Sequence, residues 1–318
     1  MIDCPVGAIL SAAAERLGEP PLAELARGLA EPVRVGVRGR PGAGRSTVAR
    51  ALRGAGLAGV DPEGPDPAGV VLYVAVETFT PEDRAALAGA AGPRVAVLGK
   101  ADLAGFGGVD PLSVSARRCA ALERETGVAV LPLAALAAAA ASDPRALDER
   151  VLGAVRSLAR GEVPAGPPDP LLAGLDLFGV AVAVRAVRAG AGRDGVARAL
   201  REASGVDAVL AEIERSSSAV RYRRAAAALR ALTGAAAVRP GVAGLLAGDA
   251  MAEARMSLAG AVLAAAGPAG EDVGSDPLRQ AVSWQRYASG PVTDLHRACA
   301  RDMVRGLLRR WSRESGSW

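Results

Sequence analysis

The most specific chemistry in this chain sits between Gly39 and Thr47, in the run Gly39-Arg40-Pro41-Gly42-Ala43-Gly44-Arg45-Ser46-Thr47. The spacing fits GxxxxG[K][ST], with Gly39, Gly44 and Ser46 in register and Arg45 at the lysine position. Glycines so placed let consecutive backbone N–H groups turn inward around a phosphate, and a helix opening after them adds its positive N-terminal end. Ser46 is then the expected Mg²⁺ ligand and Arg45 the cation that reaches the outer phosphates, with Gly42 and Thr47 completing the cradle. Arginine is not a simple stand-in, because its wide planar fork differs from a compact ammonium. The chain has 38 cationic side chains, of which Lys100 is the one lysine, so compositional bias alone accounts for an arginine at position 45. The same residues also read as a Gly-Pro-rich turn, and the neighbouring elements decide between the two.

Those elements are consistent with a phosphate cradle. Residues 6–30 read as short helices broken at Gly18-Glu19-Pro20-Pro21, with Leu22, Leu25, Ala26 and Leu29 at helical spacing. A strand is expected from Val33 to Val37, then the loop, then a helix through Val48 to Leu52. Val70 to Val76 is apolar throughout, as in a strand covered on both faces. Thr80-Pro81-Glu82-Asp83 opens a helix, with Thr80 as cap and an acid three residues on. A third strand is expected at Val95 to Leu98, a helix near 112–126 stopped by Gly127, and a fourth strand at Val128 to Leu131. Asp143-Pro144 is expected to start a helix that ends near Gly161. Strands alternating with helices imply a parallel sheet wound on both faces. Glu162 to Pro170 holds four prolines and reads as a linker. The chain beyond Pro170 reads helical, with breaks near Gly190, Gly205, Gly234, Gly267–Gly274 and Gly290-Pro291.

A second motif comes after the third strand, in Val95-Ala96-Val97-Leu98-Gly99-Lys100-Ala101-Asp102. It resembles the NKxD segment with which GTPases read their base. Lys100 and Asp102 match it, and Gly99 replaces the Asn that ties this loop to the phosphate loop. The alternative is an ordinary strand-to-helix turn, against which stands the coincidence of the chain's one lysine with the motif's lysine. With the two motifs in family order, the chain resembles P-loop GTPases of the translation-factor class. The run-in and the helical remainder are most similar to bacterial, actinobacterial dynamin-related GTPases. The likeness covers residues from about 6 to 160. It implies that Asp102 accepts hydrogen bonds from guanine, that the Lys100 stem lies over the base, and that the ligands are GTP or GDP with Mg²⁺. A third family segment would fall at Pro132-Leu133-Ala134, where Leu133 takes the place of a serine.

The reaction centre reads as reduced. Between Thr47 and Val70 there is no room for the switch loop and two strands of a complete GTPase. Asp61-Pro62-Glu63-Gly64 could hold Mg²⁺ through Asp61, Asp66-Pro67-Ala68-Gly69 competes with it, and both read equally as plain loop. Hydrolysis needs neutralised γ-phosphate charge and an oriented water. With no lysine in the loop and no Thr between Thr47 and Thr78, a GTPase of low turnover is the most that is expected. Glu77, Thr80 and Asp83 read as surface and cap residues.

The bulk numbers bound the rest. Three cysteines far apart and one histidine leave no CxxC pair, zinc set or His-dependent triad. A net charge of +4 does not demand a nucleic-acid partner. The N-terminus lacks the pattern of a signal peptide, and the apolar runs are too short or interrupted to span a bilayer. A cytoplasmic protein, at most peripheral to a membrane, is expected. Arg297, Arg301, Arg305 and Arg309 recur every four residues on a final helix. That stripe reads either as a solvated face or as a docking face for an anionic partner. Trp284, Tyr287 and His296 read as packing at a helix corner. The expected architecture is therefore α/β. An N-terminal helical segment (1–30) precedes a reduced, GTPase-like parallel-sheet domain (31–161). A Pro-rich linker (162–170) then leads to an all-α domain (171–318). The functional alternatives are a guanine-nucleotide-binding protein with weak or absent hydrolysis and a nucleotide-free pseudo-GTPase that partners an active GTPase.

Overall fold

Val70 to Val76, apolar at every position, forms a strand buried along nearly its whole length, and a parallel sheet is built around it. The computed structural model describes residues 4–62, 69–90, 92–104, 110–162, 169–236, 239–267 and 276–316. In chain order, α1 (Pro5–Leu17) and α2 (Pro20–Ala30) precede β1 (Val35–Gly39), α3 (Arg45–Gly54) and β2 (Val60–Asp61). Then come β3 (Val70–Val76), α4 (Pro81–Gly89), β4 (Arg94–Gly99), a 3-10 turn (Ala101–Leu103), α5 (Pro111–Thr126) and β5 (Ala129–Leu133). The remainder is helical: α6 (Ala135–Ser142), α7 (Glu149–Ala159), α8 (Asp169–Arg188), α9 (Arg193–Ser204) and α10 (Val206–Ala236). It closes with α11 (Pro240–Ala247), α12 (Asp249–Ala265), α13 (Pro277–Ser289) and α14 (Asp294–Glu314).

The sheet has the order β2-β1-β3-β4-β5, and all of its pairs are parallel. The register sets Gly39 beside Val74, Val76 beside Gly99 and Gly99 beside Leu133. The chain leaves β1 towards β2 on one side and β3 on the other, so the strand order reverses at β1. In open parallel sheets the crevice outside the carboxyl ends at such a reversal is where ligands sit.

One face of the sheet packs Tyr73, Ala75, Ala96, Leu98 and Val130 against Leu87 of α4 and Cys119 and Leu122 of α5. These are α/β layers with helices covering the strands, as the sequence implies. Burying a leucine fully, as at Leu72, contributes about 1.5–3 kcal/mol.

Several local expectations are corrected. The first strand is Val35–Gly39, shifted along the chain from 33–37. A two-residue strand, β2, ends at Asp61, where the sequence reads as an Mg²⁺-binding match or plain loop. The alanine-rich segment after β5, to which the sequence pattern assigns no element, is a helix, α6, with Ala137 to Ala140 all buried. Pro144 lies in a turn, and the next helix starts five residues later with Asp148 as its cap. Helix α10 continues through Gly234.

The larger correction concerns the division of the chain. One compact unit spans Arg34–Glu214, and the other joins Met1–Val33 to Arg215–Trp318. The sheet-bearing unit therefore passes the proline-rich stretch, of which residues 163–168 lie outside the described residues. It keeps α8 and α9 because Leu175, Val182, Val196 and Leu200 close a core with Ala137, Leu152 and Val155. The N-terminal helices instead join the later ones: Val6, Leu10, Leu22 and Leu29 share a core with Tyr222, Met251, Leu263 and Cys299. Among the described residues no helix is long and apolar enough to cross a membrane.

Candidate phosphate-loop site

At the carboxyl end of β1 the backbone makes the turn that the glycine spacing implies. Gly39 has φ 142°, and a Cβ there would lie 2.3 Å from the Val74 carbonyl oxygen, so only glycine fits. Gly42 (φ 80°) and Gly44 (φ 89°) are left-handed and have open space around them, so their glycines serve conformation rather than clearance. The Ala43 amide donates to the Arg40 carbonyl at 3.2 Å and closes the turn. Gly44 caps α3, whose first turn holds no acid and begins instead with Arg45. Arg45 is half-buried, and among the described residues its guanidinium has no partner. A cation at the positive end of a helix is electrostatically unfavourable, and an anion relieves both charges. Ser46 is exposed and Thr47 half-buried beside it.

The Lys100 loop lies at the same edge. Gly99 ends β4, and a Cβ on it would stand 3.4 Å from the Ala43 carbonyl oxygen and 3.3 Å from a Val74 methyl. The two motif loops therefore approach each other closely. Lys100 takes a left-handed conformation (φ 54°) and caps the 3-10 turn that carries Asp102. That turn is held from behind, where Ser115 Oγ of α5 donates to the Ala101 carbonyl at 3.1 Å. Burial pushes the Asp102 carboxyl above the usual range, against its own backbone amide and the Lys100 charge.

Asp61 is placed differently. It ends β2 and pairs with Gly36, three positions short of Gly39. Glu63-Gly64 and Asp66-Pro67-Ala68 lie outside the described residues. Gly69, the last residue of the competing match, sits against the Arg34 carbonyl, where a Cβ would come to 2.2 Å. That contact is at the amino edge of the sheet, opposite the phosphate loop, so Gly69 serves strand approach and not the site. Among the described residues no cluster of three or more His, Cys, Asp or Glu side chains forms a metal cage.

Two features are not foreseen from the sequence. Asp83 forms the expected capping box with Thr80, but it is fully buried and does more. Its Oδ1 accepts from the Tyr73 hydroxyl at 2.7 Å and pairs with Arg40 Nε at 3.1 Å, while Oδ2 accepts from the Thr80 amide at 2.8 Å. Burial alone would raise the Asp83 carboxyl. The Thr80 amide, the Tyr73 and Thr80 hydroxyls and the Arg40 charge outweigh it and hold the group below its usual range. The phosphate loop is thereby tied to the start of α4. Burial and Asp83 together push Tyr73 up to about 12. The second feature is Asp176, which breaks α8 with φ 53° and ψ −174°, a backbone region close to glycine-only. Its Oδ1 accepts from the Gly179 amide at 2.8 Å and so caps the second half of the helix. Burial and the charge of Asp102 raise it to about 6.

The C-terminal stripe is mostly engaged within its own unit. Arg297 pairs with Asp294, Arg305 with Asp302, and Arg309 with Asp249 at 2.8 Å. Arg313 pairs with Glu253, and among the described residues Arg301 has no partner. Trp284 meets Tyr287 edge-on at 5.6 Å, and the Tyr287 hydroxyl bonds His296 Nδ1 at 2.9 Å, which is corner packing. No protein-family model matches the chain, and comparison with curated proteins and with solved structures found no match.

Proposed function

We propose that the chain binds a guanine nucleotide at the carboxyl edge of its sheet, with little or no hydrolysis, as a dynamin-related, GTPase-like protein of the cytoplasm. Gly39, Gly42 and Gly44 shape the loop whose amides hold the phosphates. Arg45, Ser46 and Thr47 lie at the helix end beside them. Lys100 and Asp102 face the base. The observation that supports this reading is the close approach of Gly99 to the Ala43 carbonyl, which brings the Lys100 loop beside the glycine-rich loop. The unpartnered Arg45 at a helix N-terminus adds to it. GTP or GDP, with Mg²⁺ on Ser46, is the ligand set that goes with this site. Asp61, three positions short in register, is a weak second contact to the metal, and this favours low turnover.

A second reading, a nucleotide-free scaffold that pairs with an active GTPase, is favoured by Arg40. This other cation of the loop is already engaged by Asp83. Titration of the full chain with fluorescent GTP, GDP and ATP, with and without Mg²⁺, separates the two. A preference for guanine that Asp102→Ala abolishes supports the first. No binding at millimolar nucleotide supports the scaffold. Saturable ATP binding that Asp102→Ala leaves intact would sink the guanine reading.

A further inference from the structure

Away from the phosphate loop, the sheet-bearing unit has a cleft of about 320 Å³. It lies among α3, α6, the turn at 144–147, the start of α7 and the first half of α8. Its floor is apolar, made by Leu136, Ala139 and Ala140 of α6. Three arginines reach it from three different elements: Arg50 from α3, Arg145 from the turn and Arg150 from α7. Among the described residues none of these guanidiniums has an ion-pair or hydrogen-bond partner.

Two carboxylates, Asp143 and Asp148, also line the cleft, and their behaviour is what makes the arginines informative. Opposite charges around one small cleft normally close on each other. Here both acids are committed to backbone: Asp143 Oδ1 accepts from the Arg145 amide at 2.9 Å, and Asp148 Oδ1 from the Val151 amide at 2.8 Å. The turn between them is pinned from α9, where Arg193 Nη2 donates to the Pro144 carbonyl at 2.5 Å. The acids are thus held as caps, and among the described residues the guanidinium forks stay free. Planar forks of this kind match carboxylate and phosphate oxygens two at a time. The volume is near the lower bound for small-molecule sites, and a rigid frame lowers the entropic cost of binding.

We propose that this cleft binds a small organic anion with two or more phosphate or carboxylate charges, held across Arg50, Arg145 and Arg150 with its apolar body on α6. The site is separate from the nucleotide reading and does not depend on it.

The test uses calorimetric titration of the full chain with pyrophosphate and with citrate, at ~0.1 M salt so that diffuse attraction is screened. It is run in an Arg45→Ser/Ser46→Ala background that weakens phosphate at the loop. Saturable one-to-one binding of either anion is expected, and adding Arg145→Ser/Arg150→Ser should weaken it about tenfold or more. Both of those arginines are exposed and, among the described residues, unpartnered, so thermal melts should be nearly unchanged by their removal. Binding of pyrophosphate alone assigns a phosphate ligand, and binding of citrate alone a carboxylate one. No binding of either anion, or a dissociation constant that stays within about twofold in the arginine variant, overturns the proposal.

Discussion

In α14, Arg297, Arg305, Arg309 and Arg313 each reach an aspartate or glutamate. At the phosphate loop, Arg45 reaches none among the described residues, and Arg40 reaches one that is fully buried. The residue type is the same, so the contrast lies in what surrounds it. Helix α14 is bound to α12 through Asp249 and Glu253. Its Asp302 is a hub: it accepts from the Tyr222 hydroxyl at 2.8 Å and from Arg255 Nη2 at 2.6 Å. Guanidiniums there cross-link helices. At the loop no such tie among the described residues neutralises Arg45, and the helix N-terminus adds to its positive potential. Arginine abundance by itself says nothing about function; unpaired arginine on a glycine-shaped turn does.

The largest effect that sharpens this contrast is expected in α14. Asp302→Ala leaves Arg255 and Tyr222 without their acceptor in a buried site, and urea denaturation should show a loss of about 3–5 kcal/mol with nucleotide affinity unchanged in the folded fraction. A smaller effect, of opposite sign, is expected at Asp176. Burial and Asp102 raise its carboxyl to about 6. A carboxyl whose folded value lies above its unfolded one favours the fold while protonated. That contribution is complete below the unfolded value of about 4 and is lost as pH rises through the folded one. Asp176→Asn keeps the cap and removes the charge. It should stabilise the protein by about 1–2 kcal/mol near neutral pH and do nothing near pH 4, as read from melts across that range. A variant equally destabilised at both pH values would mean that the charge is irrelevant there. The smallest stability effects form a matched pair. Arg45→Ser should change stability by less than about 0.5 kcal/mol while raising the guanine-nucleotide dissociation constant about tenfold. Arg309→Ser should lose about 0.5–1 kcal/mol and leave binding alone. If both variants behaved alike, the distinction between the two regions would collapse.

The sheet is largely legible in the sequence because β3 and β4 are continuous apolar runs, which a strand buried on both faces requires. The Thr80–Asp83 box is legible because a cap is local chemistry. Strand β2 is not, since two residues in a Pro-Gly-Asp stretch carry no periodic signal. The alanine run of α6 has no polar face to set a period, so its helix is indistinct from loop. The pairing of α1 and α2 with the last helices is invisible for a different reason. Both partners show ordinary helical spacing, and nothing local in Leu10 or Leu22 specifies Met251 or Cys299 as neighbours. At the site, the glycines of the loop and the Lys100-Asp102 pair can be found by spacing. The tie from Arg40 to Asp83 cannot, because it joins two elements that only the fold brings together.

The close approach at Gly99 has a consequence for substitution there. On the proposed guanine-nucleotide reading, an asparagine at Gly99 would complete the base-reading motif by a single exchange. A Cβ there would meet the Ala43 oxygen at 3.4 Å, an ordinary van der Waals distance, and only the Val74 methyl, at 3.3 Å, would have to give by a few tenths of an ångström. The exchange is therefore sterically open to the fold as it stands, and the two loops would keep their proximity with the longer side chain in place.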